Sequence, residues 1–273
     1  MKLLRYLKED TSMLTVDINY TKLSFEDLVD LIRSSYDVAF NNEHHLYRGI
    51  NNDIDYMYVN PKLVTRQSAN ARYNYYTELL DSFKSWQDYP KRSKSLICST
   101  SVKVASGYTY TATYPYIVLP KNGAKLGVTP SHDLWWSFNW LKDIGINDLD
   151  DLNQELHVII KAIFKVNDGL NIVQRCKMID KKLIDSLDKD TDLRLDDYSA
   201  LYRYFKDLNY DNLYDYLDHL MNSRLSGFKV TTIDKLDSFE FSLNEHGHEI
   251  WTDSDCVLFK DDGTINKLRS IIS

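Results

Sequence analysis

All five prolines of this 273-residue chain, Pro61, Pro90, Pro115, Pro120 and Pro130, lie in its first half, and none follows Pro130. Proline interrupts helix interiors and sheet ladders alike, so the second half is free to run in continuous helices while the first is cut into short pieces. The apolar period changes at the same place. From Leu96 to Val128 the runs are of β type. From Ser131 onward, Leu134, Trp135, Phe138 and Leu141, then Leu152, Leu156, Ile159, Ile160 and Ile163, recur at i, i+3, i+4 and i+7. Further runs over 173–187, 198–205 and 213–221 predict a small helical bundle with aspartate-rich outer faces. Strands resume over 228–232, 239–243, 248–251 and 256–259. Upstream, Ser24 followed by Glu26 and Asp27 predicts an N-capped helix whose apolar face is Leu28, Leu31 and Ile32. The spacing over 70–83 predicts another.

The pattern describes an α+β chain in which a helical insertion, residues 131–226, separates the N-terminal part of a β-rich core, residues 1–130, from its C-terminal strands, residues 227–273. At 43% hydrophobic residues the chain can bury a sizeable core. A net charge of −7 argues against general binding to nucleic-acid phosphates. The three cysteines, Cys98, Cys176 and Cys256, show no CxxC spacing, which predicts reduced thiols in a reducing compartment. The first ten residues are too charged for a secretory signal, and no run approaches the ~20 apolar residues of a membrane span. The expectation is a cytoplasmic protein, in its own cell or a host's, with no membrane partner.

Metal binding is not expected. Adjacent histidines such as His44 and His45 point to opposite faces of a strand, and no cysteine or aspartate joins His246 and His248 at ligand spacing. Asp188, Asp190 and Asp192 lack the glycine and glutamate of a calcium loop. Neither a Walker loop nor GxGxxG is present. The basic run Lys91-Arg92-Ser93-Lys94 reads as a solvated loop, with contact to NAD phosphates or a nucleic-acid acceptor as the alternative, and most of the twenty tyrosines read as half-buried packing residues.

Three short pieces carry chemistry: Leu46-Tyr47-Arg48-Gly49, Leu96-Ile97-Cys98-Ser99-Thr100-Ser101 and Gly247-His248-Glu249-Ile250-Trp251. Each sets a polar residue in or at the end of a β-type run. An arginine, hydroxyls and one carboxylate on separate strands suit a dinucleotide whose sugar carbon becomes positive, which makes NAD the expected substrate. Nicotinamide leaves NAD as a neutral molecule, so the two carboxyls of ordinary glycoside cleavage are not needed. One fixed carboxylate beside the oxocarbenium-like ribose is enough. Glu249 is the candidate. Ser99 or Ser101 would hold its rotamer, and Arg48 offers the planar fork that suits pyrophosphate or ribose.

This order of arginine, Ser-Thr-Ser and glutamate resembles the mono-ADP-ribosyltransferases of bacterial toxins, phages and animal ectoenzymes. Tyr116 to Pro120 and Gly123 to Val128 also resemble the strand, turn and strand that follow the second motif there, and Tyr89 to Ser95 leading into it is similar to phage-encoded members. The resemblance implies a core of two mostly antiparallel sheets around an NAD cleft. It implies Glu249, Ser99 and Arg48 as catalytic residues. Arg48, Gly49, Ser99, Thr100, Ser101 and Asn70 would bind NAD. Gly49 would let the backbone approach nicotinamide, and Thr100 and Ser101 would brace the strands. The acceptor is expected to be macromolecular, a host protein in the first instance, with nucleic acid as an alternative.

Two departures stand out. Arginine-modifying relatives carry a second glutamate two positions before the catalytic one, and others carry glutamine. Here that position is Gly247, with Glu245 and His246 beside it as acceptor-side candidates, so the acceptor-recognising turn is rearranged or the acceptor is not arginine. The stretch between the second and third motifs is also far longer than a loop in a compact domain. Two alternatives follow: a non-catalytic phage or virion-associated protein of the same fold, and an NAD glycohydrolase with water as acceptor.

Overall fold

A computed structural model of the chain describes residues 19–66, 73–109, 114–164, 168–187, 195, 199–241 and 246–272. Two compact units are formed. One comprises Met1–Ala69, Tyr89–Asp133 and Phe228–Ser273; the other comprises Asn70–Asp88 and Leu134–Gly227. The helical unit thus includes residues 70–88 as well as the region read as an insertion.

Among the described residues the first unit holds nine strands: β1 Tyr20–Lys22, β2 Leu46–Arg48, β3 Tyr56–Val59, β4 Leu96–Ser99, β5 Tyr116–Pro120, β6 Lys125–Val128, β7 Lys229–Thr232, β8 Glu249–Thr252 and β9 Cys256–Lys260. Their order is β1-β3-β9-β5-β2-β4-β8-β6-β7, and the paired neighbours are antiparallel. The apolar runs Tyr-Ile-Val-Leu-Pro and Cys-Val-Leu-Phe-Lys, buried throughout, become the inner strands β5 and β9. Against them pack Leu28, Ile32, Tyr36 and Phe40 from the helical stretch that begins at Ser24. Its start is a reciprocal cap, with Asp27 N donating to Ser24 Oγ at 3.0 Å and Ser24 N donating to Asp27 Oδ2 at 3.3 Å.

Pairing runs unbroken from β1 to β7, so the described strands make one sheet where two were expected. The link between β2 and β4 is a single position, Tyr47↔Ser99, whereas β4 and β8 share four. β2 pairs with β5 along its whole length, but meets β4 only at Ser99, the last residue of β4. The strand expected over 239–243 is not formed at Phe239, Glu240 or Phe241, which are irregular. Two helices went unforeseen, Val102–Ser106 inside the β-rich stretch and Thr264–Ile272 at the end.

The second unit is helical: Tyr75–Ser82, Asn139–Asp143, Leu149–Ile163, Ile172–Met178, Lys181–Leu187, Ala200–Asp207 and Leu213–Leu220. Leu149–Ile163 starts at Asp148, whose carboxylate accepts from Asp150 N and Asp151 N. It buries Leu152, Leu156, Ile159 and Ile160, the face that the 3.6 period predicts. The run over 173–187 breaks into two helices at Ile179-Asp180, where Asp180 bridges to Asn212. Among the described residues no helix is long and apolar enough to cross a membrane.

Candidate functional site

The strands carrying the three motifs are neighbours, in the order β2, β4, β8. Ser99 stands opposite Tyr47 on one side and Glu249 on the other. Directly opposed side chains in an antiparallel ladder share a face, with Cβ atoms about 4.5–5.5 Å apart. Tyr47, Ser99 and Glu249 therefore form a row, and pleat alternation keeps Arg48 out of it. Arg48 lies along β4 instead, its Nη1 donating to the Ile97 carbonyl at 2.5 Å.

Arg48 and Glu249 still converge on common ground. The Cys98 thiol is pushed up to about 12, first by burial, with the Arg48 charge opposing and the Glu249 charge adding. The Tyr108 hydroxyl is raised by the protein around it, then by Asp133 and Glu249, against Arg48. The Tyr108 side chain remains 62% exposed, so solvent screens those charges.

The Ser-Thr-Ser segment is a turn that carries the next strand. Ser99 Oγ accepts from Ser101 N at 3.0 Å, and Ser101 Oγ accepts from Val104 N at 3.4 Å as the N-cap of Val102–Ser106. Thr100 N donates to the His248 carbonyl at 3.0 Å, and Thr100 Oγ1 accepts from His248 N at 2.8 Å. Thr100 thereby fixes the residue before Glu249. Ser99, expected to orient Glu249, uses its oxygen to close the turn; a hydroxyl that accepts still has its proton to give.

Both glycines of the motifs have a reason within the fold. Gly247 has φ +71°, and a Cβ there would stand 2.6 Å from Thr100 Oγ1 and 3.0 Å from Ser101 Cβ. A side chain at 247 would therefore crowd the Ser-Thr-Ser turn, against which the backbone of Gly247 packs. At Gly49 a Cβ would overlap the Ala105 carbonyl and lie 2.8 Å from Tyr108 Cβ. The backbone at Gly49 is approached closely by the end of Val102–Ser106 and by Tyr108.

Thr129 anchors the start of β8. Thr129 N donates to the Glu249 carbonyl at 3.0 Å, and Glu249 N donates to Thr129 Oγ1 at 3.1 Å. His248 is buried, with Nδ1 2.8 Å from the Thr129 carbonyl oxygen. The exposed His246 ring is 5.3 Å from the half-buried ring of His132. His132 is held below the usual histidine range by burial and then by His246, with Glu249 opposing, which places this histidine pair within electrostatic reach of the carboxylate.

Arg92 corrects the sequence reading most. The basic run was expected to be solvated, yet Arg92 is 3% exposed and its Nη2 meets Glu249 Oε1 at 2.5 Å. Its guanidinium also lies over the Trp251 ring, 5.1 Å from the centroid. Lys91 and Lys94 carry the same charge a residue or two away, so no local pattern singles Arg92 out; its partners are 157 and 159 positions further on. Tyr108, Thr129 and His132 went unmarked for the same reason.

Asn70 and Glu245, expected on the NAD and acceptor sides, lie outside the described residues. Among the described residues no three His, Cys, Asp or Glu side chains gather as metal ligands. Comparison with protein-family models, with curated proteins and with solved structures returned no match.

Proposed function

We propose that this chain transfers ADP-ribose from NAD to a macromolecular acceptor and releases nicotinamide. The observation that carries this reading is the direct opposition of Ser99 and Glu249 on β4 and β8, with Arg48 at the end of the adjoining β2. These residues come from segments separated by about 50 and about 150 positions, and they are the ones the chemistry requires. In this reading the single-position junction of β2 with β4 divides the sheet into five-strand and four-strand parts, and these stand for the two sheets of an ADP-ribosyltransferase-like core.

Arg48 pairs with the pyrophosphate or ribose. Glu249 accepts a hydrogen bond from a ribose hydroxyl and stabilises the positive ribose carbon as the bond to nicotinamide breaks, its electron pair leaving with the nicotinamide nitrogen. The acceptor then bonds to that carbon and loses its proton. His246 and Gly247 lie on the acceptor side. A second reading, NAD hydrolysis with water as acceptor, is favoured by one observation: the packed backbone of Gly247 leaves no place for the acceptor-side carboxylate.

The test is nicotinamide release by wild type and Glu249→Gln, with and without a bacterial lysate. Transfer predicts release that depends on Glu249 and rises with lysate, Glu249→Gln being slower by about two orders of magnitude or more. Fast release without lysate selects the hydrolase. No release, with no effect of NAD on the melting temperature, selects the non-catalytic protein.

A further inference from the structure

We infer that Arg92 is the positioning residue for Glu249, fixing the carboxylate rotamer from the sheet face that Glu249 shares with Trp251. This rests on the transferase reading and adds a residue that the motif pattern does not contain. The two side chains are 3% and 13% exposed, and the contact runs from Nη2 to Oε1. A buried guanidinium is expensive to desolvate, and the 2.5 Å charge contact with Oε1 offsets that cost only while the carboxylate stays against it.

The support beneath Arg92 is itself built. Trp251, on whose ring the guanidinium lies, is fully buried. It is pinned by a hydrogen bond from its Nε1 to the Pro90 carbonyl at 3.0 Å and by a near-parallel Tyr89 ring at 5.9 Å. Room for the indole is made by Gly127, opposite Trp251 in the ladder, where any Cβ would collide with the ring. Gly127, Trp251, Arg92 and Glu249 thus form a chain of contacts that ends at the carboxylate. Tyr89 and Pro90 lie just ahead of Arg92, with Lys91 between, so the segment leading into β4 both grips the indole and delivers the guanidinium. Since Arg92 is almost wholly enclosed, it acts on NAD only through Glu249.

The experiment compares steady-state nicotinamide release by wild type, Arg92→Lys and Arg92→Gln, together with chemical denaturation of these, Glu249→Gln and the double variant Arg92→Gln/Glu249→Gln. The expected result is a fall in kcat of about tenfold to a hundredfold in Arg92→Gln with little change in the KM for NAD. Arg92→Lys should recover part of kcat. The double variant should denature later than the sum of the single effects allows, because the carboxylate is no longer left without its cation; this readout stands even if Arg92→Gln alone folds poorly. Additive midpoints overturn the pairing, and with it the proposal. An unchanged kcat in Arg92→Gln, with Glu249→Gln inactive, overturns the proposal and leaves the transferase reading in place. No release by the wild type under any condition overturns both.

Discussion

Ser99 and Glu249 face each other across the β4–β8 ladder, yet the Ser99 oxygen closes the turn to Ser101 N and the Glu249 carboxylate meets Arg92. Sharing a row is therefore not the same as sharing a bond. Ser99→Ala removes the turn acceptor and the hydroxyl that stands opposite Glu249 in the ladder. The expected outcome is a loss of about 1 kcal/mol in stability and a fall in nicotinamide release of about tenfold or more. Denaturation and release assays on the same preparation separate the two effects.

A glutamate placed at position 247 should not be tolerated. Gly247→Glu demands a side chain at φ +71°, where its Cβ meets Thr100 Oγ1. Strain of about 1–3 kcal/mol comes from the backbone alone, and the contact with the Ser-Thr-Ser turn adds to it. The variant is expected to unfold at lower denaturant and to gain no transfer to a small guanidine acceptor. A stable variant that gains such transfer would show that the turn has room.

Gly49→Ala tests whether that glycine serves the fold. Its Cβ would overlap the Ala105 carbonyl, a backbone atom that cannot swing aside. Overpacking of this kind costs about 1–3 kcal/mol. Stability should fall even with NAD absent. Unchanged stability with a raised KM for NAD would return Gly49 to the nicotinamide side.

Half-buried His45 and His132 set the response to mild acid. Both are held below the ordinary value of 6.5, His45 by burial and then Arg269, His132 by burial and then His246. As pH falls through 6.5, the unfolded chain takes up protons that the folded chain refuses, so stability is full above that value and declines below it. The carboxylates of Asp53, Asp168 and Asp237, held below 3.8, lose their contribution only at still lower pH. Denaturation at about pH 7.5 and about pH 5.5 should show a drop that shrinks in His45→Gln/His132→Gln. A drop of the same size in that variant would assign it elsewhere.

Local signals were well written in this chain. The Ser24 cap, the apolar period of Leu149–Ile163, and the runs at Leu46, Leu96, Tyr116 and Cys256 were all legible, because capping and periodicity depend on residues a few positions apart. Short elements were less legible: Tyr20–Lys22, Tyr56–Val59 and Val102–Ser106 are too brief for a period to emerge. The aromatic run at Phe239-Glu240-Phe241 looked like a strand, yet it stays irregular, its two phenylalanines packed on each other with ring centroids 4.8 Å apart.

By itself the sequence determined which residue types were on offer at the three motifs and that each would sit at a strand or its end. Only the tertiary structure decided that β4 lies between β2 and β8, that Tyr47 takes the place beside Ser99 in the row, and that Arg92 rather than a solvated loop lies under Glu249. Strand order and register are settled by pairing between distant segments, and a shift of one residue turns every side chain to the other face. Burial of a charge is likewise decided by the partner that compensates it, and for Arg92 that partner lies on a strand the chain reaches only near its end.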